Sequence, residues 1–141
     1  MQPKFKQLQK EELPQIIPLM QKFTGNKNSD ELLFERFSEM FDQNYECIGL
    51  FYNDILIGIC GLWFSTRHYI GRSVEIDHVY IDENYRNKGL GKQFFTWIYE
   101  YAKGKGCEAA ELNTYVQNFP SHKFYYNEGF NILGYHFLKK M

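Results

Sequence analysis

Between residues 74 and 104 the sequence VEIDHVYIDENYRNKGLGKQFFTWIYEYAKG leaves few ways to fold. A β-branched run (Val74, Ile76, Val79, Ile81) meets the turn Arg86-Asn87-Lys88-Gly89-Leu90-Gly91. Apolar residues then recur at helical spacing, at Leu90, Phe94, Ile98 and Ala102. The pattern predicts a strand, a tight glycine turn and a helix. A helix that starts directly from such a turn presents unpaired backbone N–H groups and the positive end of its dipole, and the glycines let an anion come close. With Arg86, Lys88 and Lys92 around the same point, the stretch is suited to a phosphate or pyrophosphate.

Two common phosphate loops fail at named positions. The dinucleotide pattern G-x-G-x-x-G needs a third glycine where Phe94 stands. The Walker pattern needs glycine at Arg86 and Ser or Thr at Gln93. Composition narrows the rest. A chain of 141 residues is expected to form one domain over 1–141, with 44% hydrophobic and 18% aromatic residues to fill its core. A formal net charge of −1 gives no polyanion-binding footprint, so nucleic acid is not expected as a partner. The start MQPKFKQLQKEELP lacks the apolar core of a signal peptide, and Ile55 to Phe64 is too short to span a bilayer. The expectation is a cytoplasmic protein with no membrane partner. Cys47, Cys60 and Cys107 show no paired spacing, and the histidines and acids show no metal-ligand spacing, so neither a disulfide framework nor a metal is expected.

Residues 4–9 alternate as a short strand. Glu11 and Glu12 open a helix with Pro14 in its first turn and Leu13, Ile16, Ile17 and Met20 on one face, and Pro18 predicts a kink or early break. Asn28-Ser29-Asp30-Glu31 starts a second helix with Leu33, Phe37, Met40 and Phe41 inward. Strands 45–52 and 55–65 flank Asn53-Asp54 as a hairpin. The central strand 73–82 and its helix lead to a strand over 107–116, parallel to the central one by a right-handed crossover. A helix over 119–128 with Asn118 as N-cap, stopped by Gly129, precedes a last strand over 130–139. The sum is an α/β fold with one mixed, mostly antiparallel sheet, a parallel βαβ unit and about four helices.

The turn Arg-x-x-Gly-x-Gly after Val79-Tyr80-Ile81-Asp82 resembles the acyl-CoA-binding motif of the GNAT superfamily of N-acetyltransferases. Downstream, NFPSHKFYYNEGF resembles that family's second diagnostic segment, at Asn118, Ser121, Phe124, Tyr125, Gly129 and Phe130. Both lie in the family's order. The resemblance implies acetyl-CoA or another short acyl-CoA as donor, with its pyrophosphate on the N–H groups of Arg86, Asn87, Lys88, Gly89, Leu90 and Gly91. Lys92 would stand nearby, and the pantetheine arm would pair like a strand with Val79, Tyr80 and Ile81, where the two parallel strands splay. Asn87 replaces the usual glycine and tolerates a left-handed conformation; Ser121 replaces the usual alanine.

Acyl transfer to an amine needs a neutral nucleophile, oxyanion stabilisation and help for the departing thiolate. Glu75 and Asp77 stand in an apolar strand where a buried carboxylate is costly, and strict alternation sets both on the face of Val79 and Ile81 unless a bulge intervenes. By the family pattern Asp77 is the better base, through water, with Glu75 second; a solvent-facing or cation-paired role is the alternative for either. Tyr125 would set its hydroxyl near the CoA sulfur. A tyrosine near ~10 gives its proton uphill to a thiolate near ~8.5, so a hydrogen bond is the expected contribution. Tyr126, a helical step away, is assigned to packing; His78, next to Asp77, is an alternative base, though a lone strand histidine is more often an ordinary packed or surface residue. Asn118 is a candidate to contact the pantetheine amide, to cap its helix, or to do both. Trp63, Phe64 and Tyr69 are candidates for an acceptor pocket, or for core and loop. The expected activity is transfer of acetyl to a small-molecule or peptide amine by direct attack in a ternary complex. The alternative is a non-catalytic acyl-CoA sensor or scaffold of the same fold. The resemblance admits a homodimer without requiring one.

Overall fold

The computed structural model describes residues 2–141. Five strands form one sheet in the order β1 (Lys4–Leu8), β2 (Tyr45–Tyr52), β3 (Ile55–Arg67), β4 (Gly71–Ile81) and β5 (Ala109–Leu112). All neighbours are antiparallel except β4 and β5, which run parallel. The turn between β2 and β3 has Asn53 at φ 52° and Asp54 at φ 63°, the doubly positive conformation a two-residue hairpin requires.

Helices cover both faces. On one, α1 (Leu13–Thr24) and α2 (Asp30–Phe41) bury Leu13, Ile16, Ile17, Met20, Leu33 and Phe37 against Tyr45, Cys47, Ile59 and Tyr80. Ser29 caps α2 by accepting the Leu32 N–H at 3.1 Å. On the other face α3 (Leu90–Gly104) buries Leu90, Phe94, Phe95, Ile98 and Ala102 against Leu50, Leu62, Val74 and Ile76. A fourth helix, α4 (Phe119–Asn127), contributes Phe124 and Tyr125 to that second core.

Three expectations need correction. Pro18 does not break α1, which continues to Thr24; Pro14, whose carbonyl the missing Pro18 N–H would have reached, and Pro18 itself are both exposed, so water can serve the freed group. The strand expected over 107–116 contracts to Ala109–Leu112, because β4 offers it only Ser73–Ile76 as a partner. Residues 130–139 form no strand, since no neighbouring strand pairs with them. None of the helices is long and apolar enough to cross a membrane among the described residues.

Candidate active site

The site is built where β4 loses one neighbour. Pairing with β5 covers Ser73–Ile76 only, so from Asp77 to Ile81 the strand is held by β3 alone and its other edge is open. The same stretch carries a bulge. Asp77 lies opposite Gly61 and Tyr80 opposite Ile59, which leaves His78 and Val79 facing the single residue Cys60, with His78 at φ 36°. Gly61 makes room for it: a Cβ there would overlap the His78 ring and come within 2.7 Å of Tyr45 Cε1.

The bulge shifts which face each side chain takes. Val74 and Ile76 point to the α3 core, and beyond the bulge Val79 and Ile81 join that same core. Glu75 and Asp77 are left on the α1–α2 side, so strict alternation, which set the acids with Val79 and Ile81, is corrected. Neither acid bears the cost of deep burial: Glu75 is half-buried and Asp77 exposed. Asp77 is nonetheless held, its Oδ1 accepting the His78 N–H at 2.8 Å and its Oδ2 the Trp63 indole N–H at 3.1 Å. Glu75 lies opposite Trp63 and accepts from Asn113 Nδ2 at 3.5 Å.

Beside these acids opens a cleft of about 610 Å³ lined by Asp42, Asn44, Trp63, Ser65, Arg67 and Glu75, with Phe64 on its wall. Tyr69 does not line it; its hydroxyl donates to Glu111, which also accepts from Ser73 Oγ at 3.0 Å. His78 is buried, its Nε2 2.6 Å from the Tyr45 hydroxyl. Burial pushes the imidazole below its ordinary pKa, with Asp77 pulling the other way, and burial raises the Tyr45 hydroxyl far above its own. His78 is therefore the packed histidine expected.

After β4 the chain turns through a short 3-10 segment, Glu83–Tyr85, which Asp82 caps by accepting the Asn84 N–H at 3.0 Å. That bond first, and Lys22 second, hold the Asp82 carboxyl below its usual range. Arg86 braces the turn, its Nε donating to the Ile81 carbonyl at 2.8 Å and its guanidinium 5.3 Å from the Tyr80 ring centroid. Asn87 and Gly89 are left-handed, at φ 62° and 76°, as the substitution of Asn for Gly required. The first helical bond of α3 runs from the Gln93 N–H to the Gly89 carbonyl at 3.2 Å, so the N–H groups of Leu90, Gly91 and Lys92 have no helical acceptor. Lys88 is exposed. The Lys92 ammonium pairs with Glu128 at 3.1 Å, tying α3 to α4.

On α4, Tyr125 is half-buried against Phe95 and Phe130, with ring centroids 6.1 Å from each, and burial raises its hydroxyl above the ordinary tyrosine value while Ser121, also half-buried, offsets part of this. Phe124 lies 3.9 Å from where a Gly91 Cβ would stand, so α4 rests on the start of α3. Asn118 occupies the N-cap position, but its side chain makes no capping bond; its carbonyl accepts the His122 N–H at 3.2 Å and its own N–H donates to the Tyr115 carbonyl at 3.0 Å. Tyr126 is exposed rather than packed. The structure thus gathers the turn and Tyr125 on the α3 face and Asp77 and Glu75 on the other. The edge of β4 left open by β5 runs from Asp77 to Ile81, toward the turn. The bonds from Trp63 to Asp77 and from Tyr45 to His78 escaped the sequence reading; the hairpin register, which sets Gly61 opposite Asp77 and Trp63 two residues on, held the signal for the first.

Comparison with known proteins agrees with this architecture. The acetyltransferase (GNAT) family profile matches residues 13–130. The aminoalkylphosphonate N-acetyltransferase of Salmonella typhimurium is 25% identical over 118 residues, 79% of this chain and 77% of that protein. The spermine/spermidine N(1)-acetyltransferase of Bacillus subtilis is 30% identical over 95 residues, 64% of this chain and 62% of that protein. Among solved structures, an aminoglycoside N-acetyltransferase in complex with CoA superposes with a TM-score of 0.85, covering 99% of this chain and 95% of the other at 15% identity, which shows the shared fold. The chain belongs to the acetyltransferase (GNAT) family, a class of N-acetyltransferases.

Proposed function

We propose that the protein moves an acetyl group from acetyl-CoA to an amine by direct attack within a ternary complex. The observation that carries this reading is the coincidence of two unsatisfied backbone surfaces. The open edge of β4 from Asp77 to Ile81 can pair with the amides of an extended pantetheine arm, and the free N–H groups of Leu90, Gly91 and Lys92 can receive its pyrophosphate. The left-handed Asn87 and Gly89 shape that turn, with Arg86, Lys88 and Lys92 as nearby cations. Ser121 and Asn118 are proposed to border the arm from the α4 side, Asn118 with a side chain left free of capping.

The chemistry follows from the two faces of the slot. An amine entering from the cleft meets Asp77, fixed by Trp63 and the His78 N–H, which takes its proton through water; Glu75 is the second candidate. The nucleophilic nitrogen then attacks the thioester carbonyl, a backbone N–H near Val79 donates to the oxyanion, and the C–S bond breaks as the thiolate, hydrogen-bonded by Tyr125, takes up the proton that the new amide nitrogen sheds. Because burial holds the Tyr125 hydroxyl protonated, it can donate that bond throughout the neutral range. A covalent cysteine intermediate has no support: burial pushes the Cys47 thiol up to about 12, raises Cys60 well above its usual value, and raises Cys107 as well.

The cleft carries Asp42 and Glu75 against Arg67, with Asp77 at its side, a balance that favours a cationic amine. The curated relatives named for spermine/spermidine and aminoalkylphosphonate acetylation are consistent with a small-molecule amine. The test is release of CoA thiol from acetyl-CoA across a panel of polyamines, amino sugars, aminophosphonates and peptides. Turnover is expected with a cationic small amine. Asp77→Asn should lower kcat by about 10²-fold or more, the range for a positioned base, and Tyr125→Phe by about 10-fold or more, while acetyl-CoA binding persists. Binding of acetyl-CoA without turnover of any amine would favour the sensor reading instead.

A further inference from the structure

We infer that Tyr45 is a positioning residue for Asp77: its hydroxyl, through the His78 ring, and its own ring, through Trp63, hold the two groups that orient that carboxylate. The catalytic consequence rests on the proposed role of Asp77 as base. Asp77 is exposed, and among the described residues no ion pair fixes it. Its orientation depends on two N–H donors, the His78 backbone at Oδ1 and the Trp63 indole at Oδ2. Neither donor stays in place by itself. His78 must keep φ at 36°, where a side chain crowds its own backbone, so the surroundings have to impose that conformation. Trp63 is only half-buried at the cleft wall, so its indole needs a packing partner to keep the N–H on Oδ2.

Tyr45 supplies both constraints. Its hydroxyl and His78 Nε2 share a hydrogen bond of 2.6 Å, and its ring centroid lies 4.8 Å from that of Trp63, the residue opposite it on β3. Tyr45 is itself fixed: it is 4% exposed, with Phe37 and Phe41 edge-on at 6.2 and 5.4 Å. Side chains thus close a ring from Tyr45 to His78 to Asp77 to Trp63 and back, with the candidate base as its one exposed member. The hydroxyl is the sensitive link. His78 Nδ1 is buried without a partner, so among the described residues the bond to Tyr45 is the only one its ring makes. Without that hydroxyl the buried imidazole holds two unpaired nitrogens, a costly state that the ring escapes by turning. Ring and N–H belong to the same strained residue, so the turn carries the N–H away from Oδ1. Tyr45 stands on β2, with β3 and β4 between it and the open edge, and so is not placed to touch acetyl-CoA there.

The test compares Tyr45→Phe, which keeps the ring and its packing, with Tyr101→Phe, which also loses a hydroxyl bond, to Glu46, but on the α3 face. In nitrogen–proton NMR spectra of the full chain, the His78 amide signal should be displaced in Tyr45→Phe and unmoved in Tyr101→Phe, with Lys88 to Lys92 unchanged in both. With acetyl-CoA and the best amine of the panel, Tyr45→Phe is expected to lower kcat about 10-fold at an unchanged KM for acetyl-CoA. Tyr101→Phe should change neither. In an Asp77→Asn background, Tyr45→Phe should lower kcat no further, since its effect passes through that carboxylate. An unmoved His78 signal, an equal loss in both backgrounds, or a loss confined to the KM for acetyl-CoA would overturn the inference and leave the base reading standing. Undiminished turnover by Asp77→Asn alone, or no turnover of any amine by the wild type, would overturn the base reading, and the catalytic role of Tyr45 with it.

Discussion

At the scale of single residues, the site depends on the bulge at His78 and on Gly61, the glycine that admits it. Gly61 has space only for a hydrogen beside the His78 ring and Tyr45 Cε1, so Gly61→Ala must displace the His78–Tyr45 pair. We expect it to cost about 1–3 kcal/mol, the usual range for overpacking a core. Gly104, at the end of α3, has nothing within 4 Å of a Cβ and no positive φ; Gly104→Ala should stabilise by about 0.5–1 kcal/mol. Urea midpoints of the two variants should move in opposite directions. His78 gives a pH signature. Burial lowers its pKa in the folded state, so the unfolded chain binds more protons below about pH 6.5 and stability falls as the pH drops through that value. In His78→Asn, a residue that tolerates the φ of 36°, the fall between about pH 7 and 5.5 should be shallower than in the wild type, measured by denaturant midpoint at each pH. An identical decline would show that other groups carry it.

At the scale of elements, the turn between β4 and α3 and the place where β5 stops define the slot. Gly89 is left-handed with open space around it, so Gly89→Val meets no neighbour but must adopt a conformation a β-branched residue resists. Strain of about 1–2 kcal/mol should weaken acetyl-CoA binding roughly 10-fold by calorimetry with the fold intact, whereas Asn87→Gly should leave affinity nearly unchanged. Much at this scale was legible in the sequence, because local chemistry decided it. Asn53-Asp54 specified the hairpin, Ser29 the cap of α2, and Arg86 to Gly91 the turn. What was not legible depended on partners distant in sequence. The bulge at His78 exists because Gly61, 17 positions earlier, lies opposite Asp77, and it moved Glu75 and Asp77 to the other face. Strand periodicity over 107–116 and 130–139 marked segments patterned like strands, but a strand also needs a neighbour, and only Ala109–Leu112 has one.

At the scale of the whole molecule, a mostly antiparallel sheet covered by α1 and α2 on one side and α3 and α4 on the other is opened at one point. That opening, from Asp77 to Ile81, begins beside the acid-bearing cleft and ends at the turn that leads into α3. The candidate roles were readable because the motif residues sit close in sequence; the cleft was not, because Asp42, Trp63 and Glu75 meet only through the sheet's register. The most direct test of the slot is backbone amide hydrogen exchange with and without acetyl-CoA. Slowed exchange is expected at two segments, Val79 to Ile81 and Lys88 to Lys92, with α1 and the β2–β3 hairpin unchanged. Protection absent from both segments, or confined to the cleft around Asp42 and Arg67, would contradict the proposed slot.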